Sequence, residues 1–225
     1  MSIESSSAPG TVPADNGHRA GNPLPAQGNT ALAASASAGP PFADPAALGL
    51  GAFAMTTFVL SVVNVGLIPA KDLPVVLGLA LFYGGIAQFA AGVWEFANRN
   101  VFGATAFCSY GAFWLSYWFL VQFAAAGLPA ADAGKGIGLY LLAWAIFTAY
   151  MTIAAWRVSM AVFAVFVFLT LTYIALFIGA FAGSTAMDRI GGGLGIVTAL
   201  IAWYCSLAVV ANFTFKRVLL PVGPR

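Results

Sequence analysis

Six stretches of this chain, at about 46–66, 74–94, 103–127, 136–156, 158–182 and 190–214, are each about twenty residues long and contain no Asp, Glu, Lys, Arg or His. A helix needs about 20 apolar residues to cross the hydrocarbon of a bilayer, and these segments meet that length one after another. Only 7% of the residues are charged, against about 25% in a soluble domain, so most of the surface must face lipid. A closed barrel would alternate apolar and polar residues, and no such alternation occurs. The predicted fold is all-α: a six-transmembrane-helix bundle over residues 43–215, between a tail at 1–42 and a short tail at 216–225.

The breaks between the segments carry turn and interface residues. "IPAKDLP" holds two prolines and two charges, "EFANRN" charges and amides, "GLPAADAGKG" Gly, Pro and Asp, "AAWRVS" one arginine, and "STAMDRIGGG" a run of glycines. Residues 1–42 are rich in Ser, Ala, Gly, Pro and Asn. They cannot bury enough apolar surface to offset the entropy of ordering, and they have no basic start followed by a compact apolar stretch, so a disordered tail without a secretory signal is expected. With six spans, one side of the membrane holds Arg19, Arg99, Arg157, Lys216, Arg217 and Arg225, and the other Lys71, Lys135 and Arg189. That excess predicts a cell-membrane protein with both termini cytoplasmic.

The formal charge is only +2, with no basic cluster, which argues against nucleic-acid binding. His18 is the sole histidine, and Cys108 and Cys205 lie in apolar runs. No metal site, cofactor or disulfide framework is expected, and no nucleophile–base pair marks an enzyme. "GGGLG" at 191–195 follows no strand and lacks the Lys-Ser/Thr ending of a phosphate loop. Asn212-Phe213-Thr214 has the form of a glycosylation acceptor but falls at the inner end of the last span.

A path through this bundle must be lined by neutral polar groups, because no ionisable residue sits at mid-span; Glu95 comes nearest, at the end of the second segment. Single Ser and Thr residues in a membrane helix usually bond their own carbonyls. Among the neutral polar residues, Thr57, Asn64 and Gln88 are the leading candidates for the path, and the two amides are the costlier to bury. Six aromatics crowd "SYGAFWLSYWF" (109–119), with Tyr110, Phe113 and Tyr117 on one helix face. Such a face either packs on neighbours or walls a pore. "GGIAQFAAG", "GAFAG" and "GGGLG" provide small-residue helix faces for close packing, more than one bundle needs, which predicts homo-oligomers.

Four stretches, "DPAALGLGAFAMTT", "FYGGIAQFAAGVWE", "FGATAFCSYGAFWL" and "VLLPVG", occur in the order seen in the acetate uptake transporter family, which the chain resembles from about residue 44 to 223. The resemblance implies six-helix subunits that assemble into hexamers, each with its own path for acetate and related small carboxylates such as succinate, with proton symport as one mode. It places the narrow point of the path at Phe53, Tyr110 and Leu169, where the Tyr110 hydroxyl would offer a donor to a passing carboxylate. The family signature, Asn-Pro followed by Ala-Pro-Leu-Gly-Leu, reads here Asp44-Pro45-Ala46-Ala47-Leu48-Gly49-Leu50. Asp44 either caps the helix or, by its charge, repels an anion at the helix start; Pro45 suits a first turn and Gly49 a close approach. Other readings are a channel for another small solute such as ammonia, or a membrane sensor or interaction protein without transport.

Overall fold

The computed structural model describes residues 42–223. The expected tail at 1–41 lies outside them. Among the described residues the chain forms helices and no strand. They are α1 Ala46–Asn64, α2 Ala70–Ala97, α3 Val101–Phe119, α4 Ala130–Ala155, α5 Met160–Ala182 and α6 Thr185–Phe215. Helices α2, α4 and α6 begin several residues before the expected segments, because polar residues at their starts belong to first turns and not to loops. Five of the six are long and apolar enough to cross a membrane, so the protein is multi-pass. The exception is α3, whose Ser, Gly, Tyr and Trp residues lower its mean hydropathy although its inner face is buried.

Two helices leave regular geometry. The middle of α2, Leu79–Ala87, is π-helical, and α3 runs on through a π-helical turn at Leu120–Ala124 into a 3-10 turn at Ala125–Gly127. Side chains cap four helix starts: Asp44 Oδ1 accepts from Ala46 N at 2.8 Å, Asn100 Oδ1 from Gly103 N at 3.0 Å, Ser159 Oγ from Val162 N at 3.1 Å and Ser184 Oγ from Met187 N at 3.5 Å. These acceptors occupy amide groups that would otherwise be unpaired at the membrane boundary.

The helices pack in a closed sequence. α2 lies on α3 and α1, α1 on α6, α6 on α5, and α5 on α4. α3 and α4 bring few backbone positions together; rings fill the space between them, with Phe113 5.2 Å from Trp144 and Tyr110 5.4 Å from Phe147. The glycine run of α6 does the reverse. A Cβ on Gly192 would strike the Val65 amide, and one on Gly195 the Ser61 hydroxyl, so bare backbone is what lets α6 reach α1. At the other end of α1, Ser206 Oγ donates to Ala47 O at 2.7 Å, and a Cβ on Gly49 would lie 2.8 Å from the Phe107 ring.

Residues 216–223 of the C-terminal tail are bound back on the bundle. Asn212 Oδ1 accepts from Leu219 N at 2.7 Å and Leu220 N at 3.0 Å, and its Nδ2 donates to Leu220 O at 2.9 Å. Tyr204 Oη donates to Pro221 O at 2.7 Å. Met160 N and Ala161 N then donate to Gly223 O and Val222 O at 2.8 and 3.1 Å, so "VLLPVG" satisfies the first amides of α5. The Asn212 amide is thus fully engaged in holding this segment.

Gly192 and its neighbour Gly193 separate packing from propensity. A Cβ at Gly193 meets nothing within 4 Å. Gly192→Ala is expected to destabilise by about 1–3 kcal/mol through overpacking. Gly193→Ala is expected to stabilise by about 0.5–1 kcal/mol through helix propensity. Thermal unfolding of the two variants in detergent checks the opposite signs.

Candidate functional site

A vestibule of about 480 Å³ opens where α1, α3 and α5 end and α4 and α6 begin. Its walls include Leu60 and Asn64 of α1, Phe113 and Tyr117 of α3, Tyr140 of α4, Tyr173 and Leu176 of α5 and Asp188 of α6. The aromatic face of α3 read from the sequence is therefore partly a wall. The vestibule narrows to a cavity of about 30 Å³, which shares Leu60, Asn64, Phe113, Tyr173 and Leu176 with it and adds Phe53, Thr57 and Leu169. That volume suits roughly one water molecule.

Phe53 of α1 and Leu169 of α5 border this cavity, whereas Tyr110 of α3 lines neither space. Phe53, Tyr110 and Leu169 are 5%, 2% and 3% exposed and belong to one buried cluster. The Phe53 and Tyr110 rings stand 5.7 Å apart, and the Phe166 ring lies tilted, 6.0 Å from Tyr110 and 5.2 Å from Phe102.

The hydroxyl of Tyr110 is not free in this conformation. Tyr110 Oη lies 2.9 Å from Thr148 Oγ1, and Thr148 Oγ1 donates to Trp144 O at 2.7 Å. A threonine hydroxyl has one proton. Thr148 gives it to Trp144, so Tyr110 must be the donor in the tyrosine–threonine bond. In this conformation the Tyr110 proton is directed to Thr148 of α4.

A sequence profile of the GPR1/FUN34/yaaH family matches residues 26–224. The chain belongs to this family. It is 43% identical over 177 residues to the ammonia transport outward protein 2 of Saccharomyces cerevisiae, across 76% of this chain and 62% of that protein. The chain thus spans less than two thirds of that relative's length. It is 38% identical over 181 residues to the succinate-acetate/proton symporter SatP of Escherichia coli K12, across 80% of this chain and 95% of that protein. The solved structure of a bacterial acetate channel SatP superimposes with a TM-score of 0.76 at 37% identity, covering 81% of this chain and 99% of that one.

The other residues singled out in the sequence separate by position. Thr57 and Asn64 line the small cavity, and Asn64 also the vestibule. Gln88 is 1% exposed with its Oε1 unpartnered, yet it lines neither space. The signature Asp44, Pro45, Leu48, Gly49 and Leu50 starts α1, the end away from Asn64 and roughly 28 Å from it for 19 residues. Asp44 caps the helix, so the amide that might have met an anion is held by the chain's own carboxylate. Asp188 and Tyr140 were missed as lining residues. Asp188 reads as a loop charge until α6 is seen to begin at Thr185, and Tyr140 carries no mark that sets it apart from other span aromatics.

Tyr110→Phe is expected to lower stability by about 1 kcal/mol, the worth of one buried neutral hydrogen bond. A double-mutant cycle with Thr148→Val in thermal unfolding should return a coupling of about the same size. A coupling near zero would show that the two hydroxyls do not pair.

Proposed function

We propose that this chain is a membrane transporter for acetate and related small carboxylates, with proton coupling as its mode. The observation that carries the reading is the vestibule that narrows to a small cavity bordered by Phe53 and Leu169, with Tyr110 buried behind Phe53. Below Asp188 at the vestibule wall the path is neutral and partly polar, which suits a substrate that is itself an acid. Acetate can bring its own proton, so no relay of intramembrane carboxylates is required. The vestibule admits the acid, its hydroxyl and amide groups solvate the carboxylate, and the apolar neck holds back water and inorganic ions until a side chain turns aside. The names of the SatP relatives support acetate and succinate as substrates. Nothing in this scheme asks for enzymatic chemistry.

The same reading takes both termini as cytoplasmic, which makes the vestibule the outer mouth. It takes the protein as a homo-oligomer, a hexamer by its family resemblance, with each subunit carrying its own path. A second reading, ammonia as the solute, is favoured by the name of the yeast relative. Purified protein in liposomes decides between them. Labelled acetate should accumulate, and more so with an inward proton gradient. Liposomes that pass methylammonium but no acetate would support the second reading, and liposomes that pass neither would point to a sensor or interaction role.

Two further outcomes follow. Leu169→Ala should raise the ratio of succinate to acetate uptake at equal protein abundance, by widening the neck. A core truncation would instead cost about 2–5 kcal/mol and lower both uptakes alike. Single cysteines at Asp132 and Asn98, which lie at opposite ends of the bundle, should label from opposite sides of the membrane, Asp132 from outside.

A further inference from the structure

Six threonines inside these helices share one way of satisfying the hydroxyl, and Thr57, beside the small cavity, does not. Thr56, Thr148, Thr152, Thr170, Thr172 and Thr198 each donate to the carbonyl four residues earlier, at 2.7–2.9 Å. This back-bond is the ordinary way to satisfy a hydroxyl in lipid. Thr57 follows Thr56 on α1 and is 6% exposed. Its Oγ1 is buried and has no partner. A buried polar atom left unpaired is costly, so its presence calls for a reason. Thr57 borders the 30 Å³ cavity together with Phe53 and Leu169.

Two neighbouring hydroxyls are already engaged. Tyr110 gives its proton to Thr148, and Thr172 gives its own to Phe168 O. The Trp114 N–H is also buried and unpartnered, and Trp114 borders the same cavity, with its Cδ1 side packed on Gly84 of α2; Thr57 differs in lying on the helical face that leads from the vestibule. Thr57 is one helical face with Asn64, which reaches the vestibule, at the i, i+7 spacing.

We propose that Thr57 is a substrate-recognition residue of the path. Its hydroxyl donates to one oxygen of a carboxylate passing from Asn64 toward the neck, while the methyl or methylene end faces Phe53 and Leu169. The cavity as seen holds about one water, so the carboxylate reaches the hydroxyl when a neck side chain turns aside. The proposal rests on the reading of the protein as a carboxylate transporter and adds the atom that would distinguish a carboxylate from an apolar solute of the same size.

Thr57→Val removes the hydroxyl at nearly constant shape, and Thr57→Ser keeps it. In liposomes with the full chain, Thr57→Val should raise the half-saturation concentration for acetate roughly tenfold, the scale of one hydrogen bond to a charged group. Thr57→Ser should stay within about twofold of wild type. Because the hydroxyl has no protein partner, Thr57→Val should melt no lower than wild type. A purely structural hydroxyl would give a lower melting temperature with unchanged half-saturation. Wild-type protein that takes up acetate, with Thr57→Val indistinguishable from it, overturns the assignment and leaves the transport reading standing. Wild-type protein that takes up no acetate refutes the transport reading and the assignment with it.

Discussion

Where α6 meets α1, Gly192 stands against the backbone of Ser61 and Val65, and Gly195 leaves room for nothing larger than the Ser61 hydroxyl. Where α3 meets α4, Tyr110, Phe113, Trp144 and Phe147 hold the backbones apart. Lipid offers no hydrophobic drive for helices to associate, so side-chain volume at each contact sets their distance. Tight contacts on one side of the bundle and ring-filled contacts on the other leave the free space on the α3–α4 side, and the vestibule uses residues of both helices. Uniformly small contacts would close that space; uniformly large ones would let the helices part.

Much of the architecture was legible in the sequence, for a physical reason. Lipid punishes any unpaired backbone group, so spans must be helical and long, and the absence of charge over six stretches left few alternatives. The exact ends were less legible. α6 starts at Thr185 and not near 190, because Asp188 and Arg189 sit in a capped first turn where charge is tolerated. "VLLPVG" was recognisable as a motif, but its bonds to Met160 and Ala161 join residues some sixty positions apart, which no local pattern encodes.

The site divides in the same way. Phe53, Tyr110 and Leu169 could be named from motifs, and all three are buried together. Motifs say which residues are present and nothing of which proton goes where. Thr148 looked like any other span threonine, yet its bond to Trp144 O decides that Tyr110 is a donor already in use. Gln88 stood out because an amide is costly to bury, but cost alone does not say whether a group faces a path or a neighbour. It lines neither cavity.

The signature at the start of α1 sets the position of the helix through its contacts. Asp44 closes the first turn, Gly49 admits the Phe107 ring, and Ala47 O receives Ser206 of α6. Each contact fixes how α1 rotates and how deep it sits. Thr57 lies two turns beyond Gly49 on the same helix, so a turn of α1 by one residue, about 100°, would carry the hydroxyl off the cavity and place a neighbouring side chain beside Leu169. The signature thereby acts on the path at a distance, through the rigid register of a single helix. Its tolerance of Asp in place of Asn is understandable on the same ground, since either side chain supplies the oxygen that caps the turn.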